Sequence, residues 1–191
     1  MSRPLVPGLI TEGGTDELFL GPVIARQLRA LLDDAPRPVD LMEVERGACR
    51  MIKDDDRIRQ AILDLAPNCH LIFLHSDYRE RDKAVRHADQ DVIPLIPVKE
   101  TEAWLLADAQ VWTRVRGADL SRLPARPREA ERISDPKAVL RAVLAGVNHR
   151  KVDEHFATAG NNVDLSMLAE LPAYAAWVEA TSKALRNHGF L

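Results

Sequence analysis

The sequence predicts an α/β fold: a mainly parallel sheet flanked by helices, followed by a helical C-terminal extension. Three observations predict it. Short apolar runs alternate with segments of helical periodicity over residues 1–110, the β-α-β-α-β-α-β-α order of a covered parallel sheet. Cys69 to His75 is an unbroken apolar run of strand length, as expected of a strand buried on both faces. Acidic residues, Glu12, Asp77, Glu100 and Glu102, directly follow three of the strand-like runs.

Taken in order, Leu5 to Thr11 reads as a first strand, firmest over Gly8–Thr11. Gly13-Gly14 interrupts it, and Thr15 can cap a helix whose first turn holds Asp16 and Glu17. Leu18, Phe19, Val23, Ile24, Leu28, Leu31 and Leu32 recur at helical spacing as far as Asp33. Val39 to Val44 alternates like a half-buried strand, and Arg46-Gly47 reads as a loop. Asp54-Asp55-Asp56 forms the acidic first turn of a second helix carrying Ile58, Ile62, Leu63 and Leu65. After Cys69–His75 a charged helix spans 79–89. Val92–Val98 holds two prolines, Pro94 and Pro97, which demote it to an edge or short strand. Lys99–Asp108 leaves that strand as a helix. Residues 116–134 are Arg- and Pro-rich loop, Asp135-Pro136 starts a helix with cap and first-position proline, and 164–171 and 172–187 read as helices. The predicted organisation is a 1–110 core with a 111–191 extension packed on it as one structural unit.

The 191 residues carry 26 basic and 29 acidic side chains, a net charge of −3, which argues against a general DNA-coating protein. Six arginines between 112 and 132 form either a solvated loop or a phosphate-contacting surface. No apolar run approaches the ~20 residues of a membrane helix. The expectation is a soluble cytoplasmic protein with no membrane partner. Its two cysteines, Cys49 and Cys69, are expected as buried thiols in a reducing compartment.

In open parallel sheets ligands bind beyond the carboxyl ends of the strands. Glu12, Asp77 and Glu102, with Glu100 as neighbour, would meet there and supply the oxygen ligands that magnesium prefers. Such an ion can polarise a phosphodiester and activate a water. Each acid also has a plain structural role open to it: Glu12 favouring a helix N-terminus, Asp77 capping a helix, Glu102 lying on a helix surface. Glu80 and Asp82 read as solvated helix charges, and His75 as packing beside its strand end. Gly13-Gly14 could let backbone amides approach a phosphate, but the Walker and dinucleotide patterns are absent.

Glu12-Gly13-Gly14-Thr15-Asp16-Glu17 resembles the E-G-x-T-(D/E)-E opening of TOPRIM-like proteins, a fold of topoisomerases, primases and OLD-type nucleases. Ser76-Asp77-Tyr78 is similar to their central acidic strand end. Glu100 to Asp108 resembles the E-x-E-A-x-L-x-x-D segment of a bacterial TOPRIM-like family often encoded beside ATPases, and Asp135-Pro136-Lys137 is similar to its later region. The resemblance implies a metal-dependent nuclease that cuts DNA or RNA, in phage or plasmid defence, with an ATPase partner; a homodimer is a further assembly compatible with it. It implies Glu12, Asp77 and Glu102 as catalytic residues. Together with Glu100, and more weakly Asp82, they would bind Mg²⁺ or Mn²⁺, while Gly13, Gly14, Arg79 and Arg81 would contact phosphate. Arg79 stands where the usual D-x-D motif has its second aspartate, and Asp82 lies about a turn and a half further on. That departure, with the acidic net charge, leaves open a catalytically degenerate partner subunit of an ATPase; a phosphohydrolase using the same acids on a small molecule is a third reading.

Overall fold

Leu9, Phe73 and Ile93 stand side by side in register on three parallel strands of the computed structural model, and Ile10, Leu74 and Pro94 form the next rung. The structure describes residues 2–48, 54–148 and 152–191, so the expectation for Cys49 falls outside the described residues. The strands are β1 (Arg3–Leu5), β2 (Pro7–Thr11), β3 (Val39–Leu41), β4 (Glu45–Ala48), β5 (Leu71–His75) and β6 (Val92–Leu95). Four of them form a parallel sheet in the order β4-β2-β5-β6, and β1 pairs with β3, also in parallel.

Strand side chains alternate between two apolar layers, as the pleat requires. Leu9, Leu71, Phe73, Ile93 and Leu95 face α1 (Gly14–Leu32) and the C-terminal helices. Ile10, Ile72, Leu74 and Val92 face α2 (Asp55–Leu65) and α3 (Arg81–Arg86). Both inner strands, β2 and β5, are therefore buried on two faces, which explains their continuous apolar runs. Pro94 lies on β6, at the sheet edge, where its missing N–H breaks no ladder.

The expected strands 39–44 and 92–98 and the helices 79–89 and 99–108 are shorter than predicted, and three further points need correction in this half. The first strand is two, because Leu5 pairs toward β3 while Pro7 onward pairs between β4 and β5. Arg46-Gly47 is not a loop but the middle of β4. A Cβ at Gly47 would lie 2.9 Å from both the Leu65 Cδ1 and the Ile10 Cγ1 atoms, so this glycine lets α2 close on the sheet. Thr15 is not the cap of α1; Gly13 occupies that position, with no side-chain cap bond.

Beyond residue 100 come α4 (Thr101–Leu105), α5 (Gln110–Thr113), α6 (Pro127–Ala130), α7 (Pro136–Val143), α8 (Val152–Asn162), α9 (Leu165–Ala169) and α10 (Pro172–Asn187). Asp135 caps α7 as expected, accepting from the Ala138 N–H at 2.8 Å. The sequence reading missed α8. This helix packs along α1 so closely that a Cβ on Gly160 would lie 2.4 Å from the Phe19 carbonyl oxygen. Trp104, Tyr174 and Trp177 meet edge-on or tilted, with centroids 5.1–6.4 Å apart, and join α4 and α10 to Phe73 of the sheet. The C-terminal helices thus share one apolar cluster with the sheet. Among the described residues no helix is long and apolar enough to cross a membrane.

Candidate functional site

From β2 the chain crosses by α1 to β4 at one edge, then by α2 over the opposite face to β5 on the other side of β2. The two crossovers leave in opposite directions, so the carboxyl ends of β2 and β5 flank a topological switch point, where crevices form in open α/β sheets. A cavity of about 1150 Å³ opens there. Glu12 enters it from the end of β2, Asp77 from the end of β5, and Glu100 and Glu102 from the start of α4. The start of α7, with Asp135 and Lys137, forms a further wall.

Two of these acids, Asp77 and Glu100, are not consumed by helix capping. Asp77 precedes a 3-10 turn at Tyr78–Glu80 and Glu100 precedes α4, yet neither side chain makes a capping hydrogen bond. The Glu100 Oε2 atom is buried without a partner among the described residues. The Asp77 carboxyl is pushed up to about 6 by burial first, then by the charges of Asp16, Glu100 and Glu102, with Lys137 opposing. Burial also lifts Glu102 above the ordinary glutamate value, against the pull of its backbone N–H and of Lys137.

Lys137 Nζ lies 3.5 Å from Glu102 Oε1. Burial works against the lysine charge, but Glu102, Glu100 and Asp77 together hold it above its usual value. One ion pair thus leaves both partners raised. The asymmetry follows from exposure: the Glu102 side chain is 13% exposed and the Lys137 side chain 50%, so the carboxylate bears most of the desolvation. At the floor of the cavity His75 is buried, its Nε2 2.9 Å from Thr101 Oγ1. Burial keeps this imidazole below its ordinary value. The bond ties the end of β5, which carries Asp77, to the start of α4, which carries Glu100 and Glu102.

Of the residues expected at the site, Glu12, Gly13, Asp77, Arg79, Glu100 and Glu102 all line the cavity. Gly14, Arg81 and Asp82 do not. Gly14 begins α1 just outside it. Asp82 sits on α3 with 88% of its side chain exposed, 3.5 Å from Arg81, whose guanidinium stacks on Tyr78 at 4.3 Å. The turn at Tyr78–Glu80 directs that helix away from the crevice, so Asp82 does not replace the missing second aspartate. Asp16, Lys99, Lys137 and Arg141 also line the cavity and were not expected there. Their signal in the sequence was faint: Lys137 follows a cap-proline pair and Lys99 follows a strand, patterns shared by many surface lysines.

Among the described residues no group of three or more His, Cys, Asp and Glu side chains is spaced to hold a metal ion together. Magnesium is commonly held through one or two carboxylates and its own waters. The donors fit that habit in kind, since they are carboxylates and one carries a buried oxygen without a partner. Compared with family models, curated proteins and solved structures, the chain matches none.

Proposed function

We propose that the crevice binds Mg²⁺ or Mn²⁺ and that the protein is a metal-dependent nuclease, cutting phosphodiester bonds of DNA or RNA as a TOPRIM-like protein. The observation that carries this reading is the meeting, at the switch point, of Glu12, Asp77, Glu100 and Glu102, with Asp77 and Glu100 free of capping duty and Asp77 raised by burial and then by its acidic neighbours. Crowded carboxylates are stabilised by a cation. One or two of Glu12, Asp77, Glu100 and Glu102 would hold the ion beside its own waters, and when bound it would polarise a phosphoryl oxygen and lower the pKa of its water. The chain itself supplies the rest: His75 and Thr101 hold the two acidic segments together, Lys137 neutralises the cluster from one side, and Arg79 stands at the rim. A role in phage or plasmid defence beside an ATPase, in the cytoplasm, belongs to the same proposal.

The test is cleavage of plasmid and single-stranded substrates with the metal varied, by wild type and Glu12→Gln, with and without any co-encoded ATPase. Loss of about a hundredfold or more in the variant supports the assignment, whereas unchanged cleavage sinks it.

A second reading is a catalytically degenerate partner subunit. Arg79 in place of an aspartate, and an ammonium already set against Glu102, favour it. Such a protein would bind its ATPase equally well with and without metal and would cleave nothing. Hydrolysis of a small phosphate ester uses the same acids, and competition between such esters and oligonucleotides separates it from a nuclease.

A further inference from the structure

We propose that Lys99 is a substrate-binding residue of the crevice, its ammonium taking a phosphate oxygen of the bound phosphodiester; this rests on the phosphodiester reading above. Among the described residues Lys99 is the one non-glycine residue with a positive φ, 70°. The Glu100 N–H donates to the Val98 carbonyl at 3.1 Å across it. A bond from residue i+2 back to i, with positive φ between them, makes the rare, strained form of γ-turn. Glycine adopts this conformation freely, while a Cβ crowds the neighbouring carbonyl.

One further contact and one chain neighbour fix what the turn presents. The Tyr78 N–H donates to the Lys99 carbonyl at 3.2 Å, so the turn is fastened to the segment just after Asp77. The next residue is Glu100, with its buried, unpartnered oxygen. Lys99 is therefore rooted between the two acid-bearing segments and lines the cavity they form.

Its side chain makes no ion pair or hydrogen bond with any described residue. Lys137 differs: it lies in the same cavity and is occupied by Glu102. An exposed lysine in a relaxed loop is ordinary surface. Here the same charge is carried at a backbone position where glycine would be less strained, beside carboxylates it does not neutralise. Backbone strain of this kind gathers at ligand-binding positions. The group it fits is an anion arriving among the acids, and a lysine serves phosphate oxygens as a point charge.

The experiment uses Lys99→Gly, which removes the charge and relieves the turn, and Lys99→Arg, which restores the charge. Binding of a fluorescein-labelled single-stranded oligonucleotide is followed by anisotropy with and without Mn²⁺, together with thermal melting and steady-state cleavage. Lys99→Gly is expected to melt higher than wild type yet bind about tenfold more weakly, the size of one charged hydrogen bond. The loss should fall in KM with kcat kept, and Lys99→Arg should recover most of it. If wild type binds the oligonucleotide and Lys99→Gly binds it equally well, the role of Lys99 is refuted and the reading of the crevice stands. If wild type binds no oligonucleotide under any of these conditions, the phosphodiester reading falls and this assignment with it. Weaker binding with a lower melting point and no recovery in Lys99→Arg would mark a purely structural turn and overturn the proposal.

Discussion

Replacing Asp77 by asparagine should stabilise the metal-free protein. The Asp77 carboxyl rises from 3.8 to about 6 on folding. At ~1.4 kcal/mol per pKa unit, that is roughly 3 kcal/mol before solvent screening. The group is only about half buried, so screening reduces the figure to roughly 1–1.5 kcal/mol. The sign follows from proton binding. Because the folded value is the higher one, the folded chain holds this proton more tightly, and its stabilisation is complete below 3.8 and lost as pH rises through about 6. At about pH 7.5 wild type therefore bears the full cost of a charged Asp77, and Asp77→Asn bears none. For a chain of this size the difference corresponds to roughly 2–6 °C in melting temperature. Melting curves in EDTA for both proteins, followed by circular dichroism from acid to neutral pH, test it. The variant should melt higher near neutrality, with the gap closing as pH falls through 6 toward 4. A variant that melts lower at neutral pH, or a gap that ignores pH, refutes the account of a strained acidic cluster. Magnesium should raise the melting point of wild type more than that of Asp77→Asn, because the variant has lost a donor.

Lys137→Met should push the Asp77 and Glu102 midpoints still higher, since Lys137 opposes the rise of both; carboxyl NMR titrations that leave them unmoved would contradict the pairing. Gly160→Ala sets a methyl 2.4 Å from the Phe19 carbonyl, backbone against backbone, and should cost about 1–3 kcal/mol in urea denaturation. A neutral result would mean that α8 does not pack on α1 as described. His70 Nδ1 accepts the Val6 N–H at 3.1 Å, and burial, then Arg3 and His188, hold its imidazole below 6.5. Its folded value lies below its unfolded one, so its contribution to stability is present above 6.5 and lost as pH falls below it. An NMR midpoint for His70 at or above 6.5 would rule this out.

The layering of the core was legible because burial writes itself into periodicity. The two-sided apolar run at Leu71–His75 and Pro94 of the edge strand each had one sensible place, whereas Pro97 lies beyond the strand, which ends at Leu95. The start of α7 was equally plain, since Asp135 and Pro136 act locally. What escaped was set by distant packing. Arg46-Gly47 looks like a turn, but its glycine is there to admit Leu65 from another element. Helix α8, with Thr158, Gly160, Asn161 and Asn162 in its last turns, has weak helix propensity and is held by α1. In the crevice, acids at strand ends could be read because the sheet brings strand ends together. Lys99 and Lys137 could not, because their meaning depends on a backbone angle and on which wall α7 forms. Asp82, read from the sequence as a solvated helix charge and only weakly as a ligand, is exposed on α3, where the turn at Tyr78–Glu80 places it.

The single apolar cluster that runs from Leu5 to Phe190 has a consequence during synthesis. The faces of β1 and β2 are made first, but their covering from α8 and α10 comes last. The Arg3 guanidinium, which donates to the His188 carbonyl at 2.7 Å and lies over the Phe190 ring at 4.1 Å, joins almost the first described residues to the last. Until α8 and α10 have left the ribosome, the apolar cluster around β1 and β2 therefore has only part of its cover, chiefly from α1. A ribosome-bound chain stalled before α8 should remain protease-sensitive throughout the sheet, and the crevice, which takes Phe156 into its lining, can close only after that point.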